Sequence, residues 1–194
     1  MLKKILIGVA VVVVLFVFAV STRPDTFRIE RFATMDAPPE IPFANVNDFH
    51  AWAKWSPWEH LDPAMTKEFE GPASGPGAKY HYTGNGDVGE GRMTIDSAEK
   101  PSRVAITIQF LKPFEATNQV TFTFAKAGDG TKVTWTMDGK NNFVSKAMGM
   151  FMNMDKLVGG DFEKGLAALK TVSEAEAKAA PKLEAPKGET APAP

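Results

Sequence analysis

From Ile5 to Val20 the chain carries no polar side chain: Ile5-Leu6-Ile7-Gly8-Val9-Ala10 runs into Val11 to Val14 and on through Leu15-Phe16-Val17-Phe18-Ala19-Val20, with Lys3 and Lys4 in front. As a helix rising ~1.5 Å per residue, this run covers about 24 Å, a little less than a hydrocarbon core of about 30 Å. Leu2, Ser21 and Thr22 lengthen it, and the two lysines can snorkel, so it is long enough to span a bilayer. A cleaved signal peptide is the competing reading, because Ala19 and Ser21 are small residues at the spacing a signal peptidase needs. The apolar run, however, sits at or just past the upper end of the usual ~7–15 residues of a signal h-region. In either case Lys3 and Lys4 outweigh Arg23, which predicts a cytoplasmic N-terminus and a domain outside, periplasmic in a Gram-negative cell.

Past Thr22 the period changes to that of strands. Phe27-Arg28-Ile29-Glu30-Arg31-Phe32 alternates apolar and charged residues, a strand with one wet face. Prolines 38, 39 and 42 then leave room for only a short helix up to Asn47. Trp52, Trp55 and Trp58 recur every three residues, which puts Trp52 and Trp55 on one side of a short helix or 3₁₀ turn. Met65 to Glu70 reads as a weak strand. The candidates after it are Ala78 to Thr83, Gly91 to Ser97, Arg103 to Phe110, Ala116 to Lys126 and Thr131 to Asp138, each bounded by Gly, Pro or Asp-Gly turns. Val104, Ile106, Ile108 and Phe110 share one face, as do Val120, Phe122 and Phe124, and again Val133, Trp135 and Met137. Sequential antiparallel strands of this kind make a sheet with one covered face.

The cover is predicted from Asn142 to Thr171, read as one long helix. Met148, Phe151, Met154, Val158, Phe162, Leu166 and Leu169 recur at the spacing of one helical face, and Gly159-Gly160 should weaken or kink it. After Thr171 the sequence turns to Ala, Pro, Lys and Glu, with Leu183 its one large aliphatic residue. Such a stretch cannot offset its own ordering entropy, and reads as an extended, disordered tail that can also serve a protein partner. The expected organisation is an anchor or uncleaved signal over residues 1–22, one domain over 23–172 and a tail over 173–194.

This order of elements resembles the helix-grip fold of the START/polyketide-cyclase superfamily, SRPBCC. The likeness rests on Trp55-Ser56-Pro57-Trp58, the turn Gly75-Pro76-Gly77-Ala78, Gly89-Glu90-Gly91 before a strand, the turn Leu111-Lys112-Pro113-Phe114, and the helix Gly159-Gly160-Asp161-Phe162-Glu163-Lys164-Gly165-Leu166. It covers essentially all of Thr26 to Val172. The fold it implies is α+β, a curved antiparallel sheet wrapped on a long C-terminal helix, with a cavity between them able to hold an apolar small molecule. Fold alone does not set activity, since the superfamily spans lipid carriers, hormone receptors, cyclases and cochaperone-like proteins.

Composition narrows the chemistry. The chain has 194 residues, 44% of them hydrophobic and 23% charged, and a net charge of -1, without the basic excess a nucleic-acid surface needs. It contains no cysteine, which excludes disulfides, thiol catalysis and cysteine-based metal sites. His81 alternates with Tyr80 and Tyr82 and so faces away from them, and Glu59-His60-Leu61-Asp62 lacks a metal-ligand spacing. The chain shows no Ser-His-Asp order, nucleophile elbow, phosphate loop or dinucleotide fingerprint, and no cofactor is expected. Glu90 and Asp138 are the carboxylates placed to reach a cavity mouth.

The expected pocket wall comprises Tyr80, Tyr82, Ile106, Phe110, Phe122, Trp135, Phe151, Met154 and Val158, with Trp55 and Trp58 at the mouth. Met148, Met150, Met152 and Met154 either line that wall as adaptable side chains or fill an irregular core. Three functions fit these residues: a membrane-tethered binding module for a lipid-like or polyketide-like molecule, an enzyme of cyclase or dehydratase type, or an envelope assembly factor that binds a protein partner.

Overall fold

The structure, a computed structural model, describes residues 1–180. An apolar helix, α1 (Leu2–Ser21), is followed by strand β1 (Thr26–Met35), helix α2 (Glu40–Asn47) and two 3₁₀ turns over Phe49–Lys54 and Pro57–His60. Six strands follow: β2 (Thr66–Glu70), β3 (Lys79–Thr83), β4 (Glu90–Glu99), β5 (Arg103–Lys112), β6 (Ala116–Ala127) and β7 (Gly130–Lys140). Helices α3 (Phe143–Met148) and α4 (Met154–Ala179) end the described chain.

The strands form one antiparallel seven-stranded sheet in the order β1-β7-β6-β5-β4-β3-β2. Six of the strands make a meander, and β1 returns to pair with β7, Thr26 opposite Lys140 and Met35 opposite Thr131. The inner face buries Ile29, Met93, Ile95, Val104, Ile106, Phe122, Val133 and Trp135. The outer face carries charge, including the Arg28–Asp138 and Arg28–Glu30 pairs. Glu90 and Asp138 therefore lie on the outer face and not at the cavity mouth, because their strand neighbours Gly91 and Met137 point inward. His81 also faces outward, with its ring nitrogens 3.5 Å from Glu68 and Glu90.

The expected single helix from Asn142 to Thr171 is two helices. Asn142 caps α3 by accepting from the Ser145 N–H at 2.8 Å, and Asn153 caps α4 by accepting from the Lys156 N–H at 3.0 Å. Two such caps define two starts, and the chain between Gly149 and Asn153 is non-helical. Gly159 and Gly160 do not end α4. The Arg31 guanidinium lies where a Cβ on Gly159 would sit, 2.1 Å from Nη2. Arg31 donates to the Asp155 carboxylate at 3.0 Å, to the Asp155 carbonyl at 3.0 Å and to Glu163 at 2.8 Å, joining β1 to the first turns of α4. Its hydrogen bonds hold the Asp155 carboxyl below the ordinary range.

The helix also runs past the expected start of the tail. Ser173 is fully buried, Glu174 accepts from the Asp36 N–H at 2.9 Å, and Glu176 accepts from Asn45 at 2.7 Å and Lys54 at 3.0 Å. These long-range contacts order residues 173–179, whose composition alone predicted an extended chain. The rest of the tail lies outside the described residues.

The register collects several features at one end of the sheet. The start of β1 lies beside the end of β7, the start of β6 beside the end of β5, and the end of β3 beside the start of β4. α1 arrives at that end, and its last residues rest against α3, burying Val20. A Lys146–Asp25 ion pair ties α3 to the segment after α1.

Candidate functional site

Between the inner face of the sheet, the 3₁₀ turns and α4 lies a cavity of about 360 Å³. α4 approaches closely because Gly165 has no side chain; a Cβ there would lie 2.8 Å from the Trp135 ring. Trp135 and Phe162 stack at 4.1 Å, with ring planes 8° apart, and form the floor on the helix side. From the sheet come Tyr80, Tyr82, Met93, Ile106, Ile108, Phe110, Val120 and Met137, and from the turns Trp52, Ser56, Trp58, Glu59 and Met65. Val88 and Asp87 of the β3–β4 loop, Lys112 at the end of β5 with Pro113 after it, and Leu157, Val158 and Asp161 of α4 close the surround.

The structure brings together Tyr80, Tyr82, Ile106, Phe110, Trp135 and Val158 of the expected wall, with Trp58 beside them. Four expected residues are elsewhere. Phe122 is fully buried outside the lining, its ring 4.8 Å from that of Trp135. Trp55 is core and not mouth: its indole N–H donates to the Asn45 carbonyl at 3.1 Å, and its ring lies 4.7 Å from Trp52. Phe151 and Met154 are exposed, because the helix break at Gly149–Asn153 carries that stretch off the sheet. Met148 and Met152 are exposed for the same reason. The methionines that line the cavity are Met65, Met93 and Met137, none of them from a helix.

Of the lining residues that sequence reasoning left out of the wall, which include Met65, Met93, Ile108, Val120, Met137, Leu157 and Phe162, Glu59 is the buried carboxylate. Its side chain is 6% exposed, and one carboxylate oxygen accepts from the Tyr80 hydroxyl at 2.6 Å while the other pairs with Lys67. A buried carboxylate is held in place by such partners, because an unpaired charge in an apolar wall is costly. Burial and the hydrogen bond to Glu59 raise the Tyr80 phenol far above its ordinary pKa, and burial raises that of Tyr82 to about 12. Both tyrosines are therefore neutral at physiological pH. Tyr82 points over Gly91, where a Cβ would lie 2.4 Å from its hydroxyl oxygen. The cavity is apolar over most of its wall, with one ordered carboxylate–phenol pair among the aromatics. Among the described residues no group of three or more His, Cys, Asp or Glu is placed to hold a metal ion.

Residues 26–174 match the family described as polyketide cyclase / dehydrase and lipid transport. The chain belongs to that family. This SRPBCC membership agrees with solved structures of the same fold. Protein CV1439 from Chromobacterium violaceum is 17% identical over 78% of this chain and 99% of its own, with a TM-score of 0.55. SA2116 of Staphylococcus aureus, a protein of unknown function, is 16% identical over 79% of this chain and 96% of its own, with a TM-score of 0.58. The di-domain ARO/CYC BexL from the BE-7585A biosynthetic pathway is 15% identical over 81% of this chain and 53% of its own, with a TM-score of 0.57. At these identities the likeness is one of fold. No curated protein matches the sequence.

Proposed function

We propose that this polyketide cyclase / lipid-transport family member is a membrane-tethered binding protein for a hydrophobic small molecule that bears one polar group. The observation that carries this reading is the 360 Å³ cavity, apolar over most of its wall and interrupted by the paired Glu59 and Tyr80. Its volume falls in the range of small-molecule pockets, roughly 300–1,000 Å³, and its composition suits them. The apolar body of the ligand gains by burial, while its polar end meets fixed hydrogen-bonding groups that cost no reorganisation. The tether is α1, a 20-residue apolar helix, read as a retained anchor with the domain on the outer face of the membrane.

A second reading is supported by the same pair. A carboxylate hydrogen-bonded to a phenol inside an apolar cavity has the parts of a general acid–base device, which a cyclase or dehydratase needs. BexL, a di-domain ARO/CYC protein, shares the fold.

Native mass spectrometry of the full chain released from detergent separates the readings. A binding protein retains an apolar adduct that Ile108→Trp, which fills the cavity, removes. A bare chain that refuses fatty-acid and polyketide probes sinks the binding reading. An enzyme instead converts its bound molecule to one of altered mass, and Glu59→Gln abolishes the conversion while sparing the adduct.

A further inference from the structure

A set of exposed large apolar side chains lies beside the cavity, and of them only Leu157 also lines it. Phe143 and Val144 on α3, Phe151 and Met152 in the link to α4, Leu157 on its first turns and Phe114 after β5 are all exposed, Phe151 at 80% and Leu157 at 57%. So many large apolar side chains exposed around one end of the sheet mark an interaction site more than scattered ordinary exposure.

Three observations indicate what covers it. The last residues of α1 rest on α3, burying Val20, so α3 sits level with the outer end of the apolar helix. Only Thr22 to Asp25 separate α1 from β1, a reach of at most about 14 Å, and the Lys146–Asp25 pair shortens the freedom further. The register places α3, the β5–β6 turn and the β3–β4 loop at the same end of the sheet, where Lys112, Pro113, Leu157 and Val158 surround the cavity.

We infer that this rim is a bilayer-docking surface: with α1 spanning the membrane, the side chains of α3, of the link after it and of Phe114 seat in the headgroup region, and the cavity opens onto lipid instead of water. The inference rests on α1 being a retained anchor. Docking removes the rim's apolar area from water without a protein partner, and the tether supplies the surface at high effective concentration. Amphipathic elements beside an anchor bind the interface in this way. A ligand then passes between bilayer and cavity past Leu157 and Val158.

Because the chain has no cysteine, a single introduced thiol labels one position. The full chain is reconstituted in phosphatidylcholine/phosphatidylglycerol vesicles, carrying an environment-sensitive fluorophore at Phe151→Cys, at Phe114→Cys, or at Asp129→Cys in the β6–β7 turn at the far end of the sheet. Docking predicts blue-shifted emission, quenched by shallow nitroxide lipids, at 151 and 114, and water-like, unquenched emission at 129. Water-like emission at all three positions on protein that resists alkaline extraction overturns docking and leaves the tether intact. Emission that is blue-shifted at 151 yet unquenched by lipid nitroxides overturns it in favour of a second copy of the chain. Release of the whole chain by alkali overturns the tether, and docking with it.

Discussion

Replacing Tyr80 by Phe removes one oxygen and leaves the rest of the site in place. The ring is 2% exposed and stacks on Phe69 at 5.0 Å, with planes 11° apart, so its packing survives the change. What is lost is the 2.6 Å hydrogen bond to Glu59, whose remaining partner is Lys67. Hydrogen bonds to charged groups contribute about 1.5–3 kcal/mol net, and at about 2–4 °C per kcal/mol for a chain of this size the Tm should fall by roughly 3–12 °C. The assay is denaturant and thermal unfolding of the full chain in detergent, followed by tryptophan fluorescence, for Tyr80→Phe, Glu59→Gln and the double variant. If the two groups act as one unit, the effects are non-additive, with a coupling of about 1 kcal/mol or more. Additivity within ~0.5 kcal/mol would refute the reasoning and make the contact a bystander.

The two glycines at the start of α4 should part company. Gly159→Ala drives a methyl group into the Arg31 guanidinium and is expected to cost about 1–3 kcal/mol in urea unfolding, whereas Gly160→Ala meets nothing within 4 Å and should be neutral or stabilising by up to ~1 kcal/mol. Asn153→Ala removes the cap of α4 and should cost about 1 kcal/mol, read as a lower urea midpoint at unchanged m. Tyr80 and Tyr82 are the only tyrosines, so an ultraviolet phenolate titration reports them alone. Neither should ionise in the folded protein near the free value of about 10. Because their folded pKa values are raised, the stability they contribute is full below ~10 and is lost as pH climbs toward about 12, the Tyr82 value. A phenolate step near 10 while tryptophan fluorescence still reports the fold would contradict this.

Local pattern carried much of the architecture because it acts over short distances. Alternation in 104–110, 120–124 and 133–137 assigned the inner face of the sheet, and the same parity placed Tyr80, Tyr82, Ile106, Phe110 and Trp135 around one cavity and turned His81 outward. Met93 and Met137 were legible by the same rule, since each sits on an inward position of its strand. Glu59 was not, because nothing adjacent in sequence announces that Tyr80 and Lys67 will close on its carboxylate.

The helical end shows the limit of periodicity most clearly. The apolar positions from Met148 to Leu169 keep a helical period across a break that the Asn142 and Asn153 caps impose, and Met148, Phe151 and Met154 consequently face outward. The return of β1 to β7 and the ordering of residues 173–179 by Asp36, Asn45 and Lys54 are likewise contacts between distant segments. By itself, the sequence determined the apolar N-terminal helix, the strand faces and the aromatic content of the cavity wall, since each follows from side-chain period and hydropathy. Only the tertiary structure decided that a carboxylate is buried in that wall and that an apolar rim lies beside the end of α1, because both depend on which distant residues the register brings to one end of the sheet.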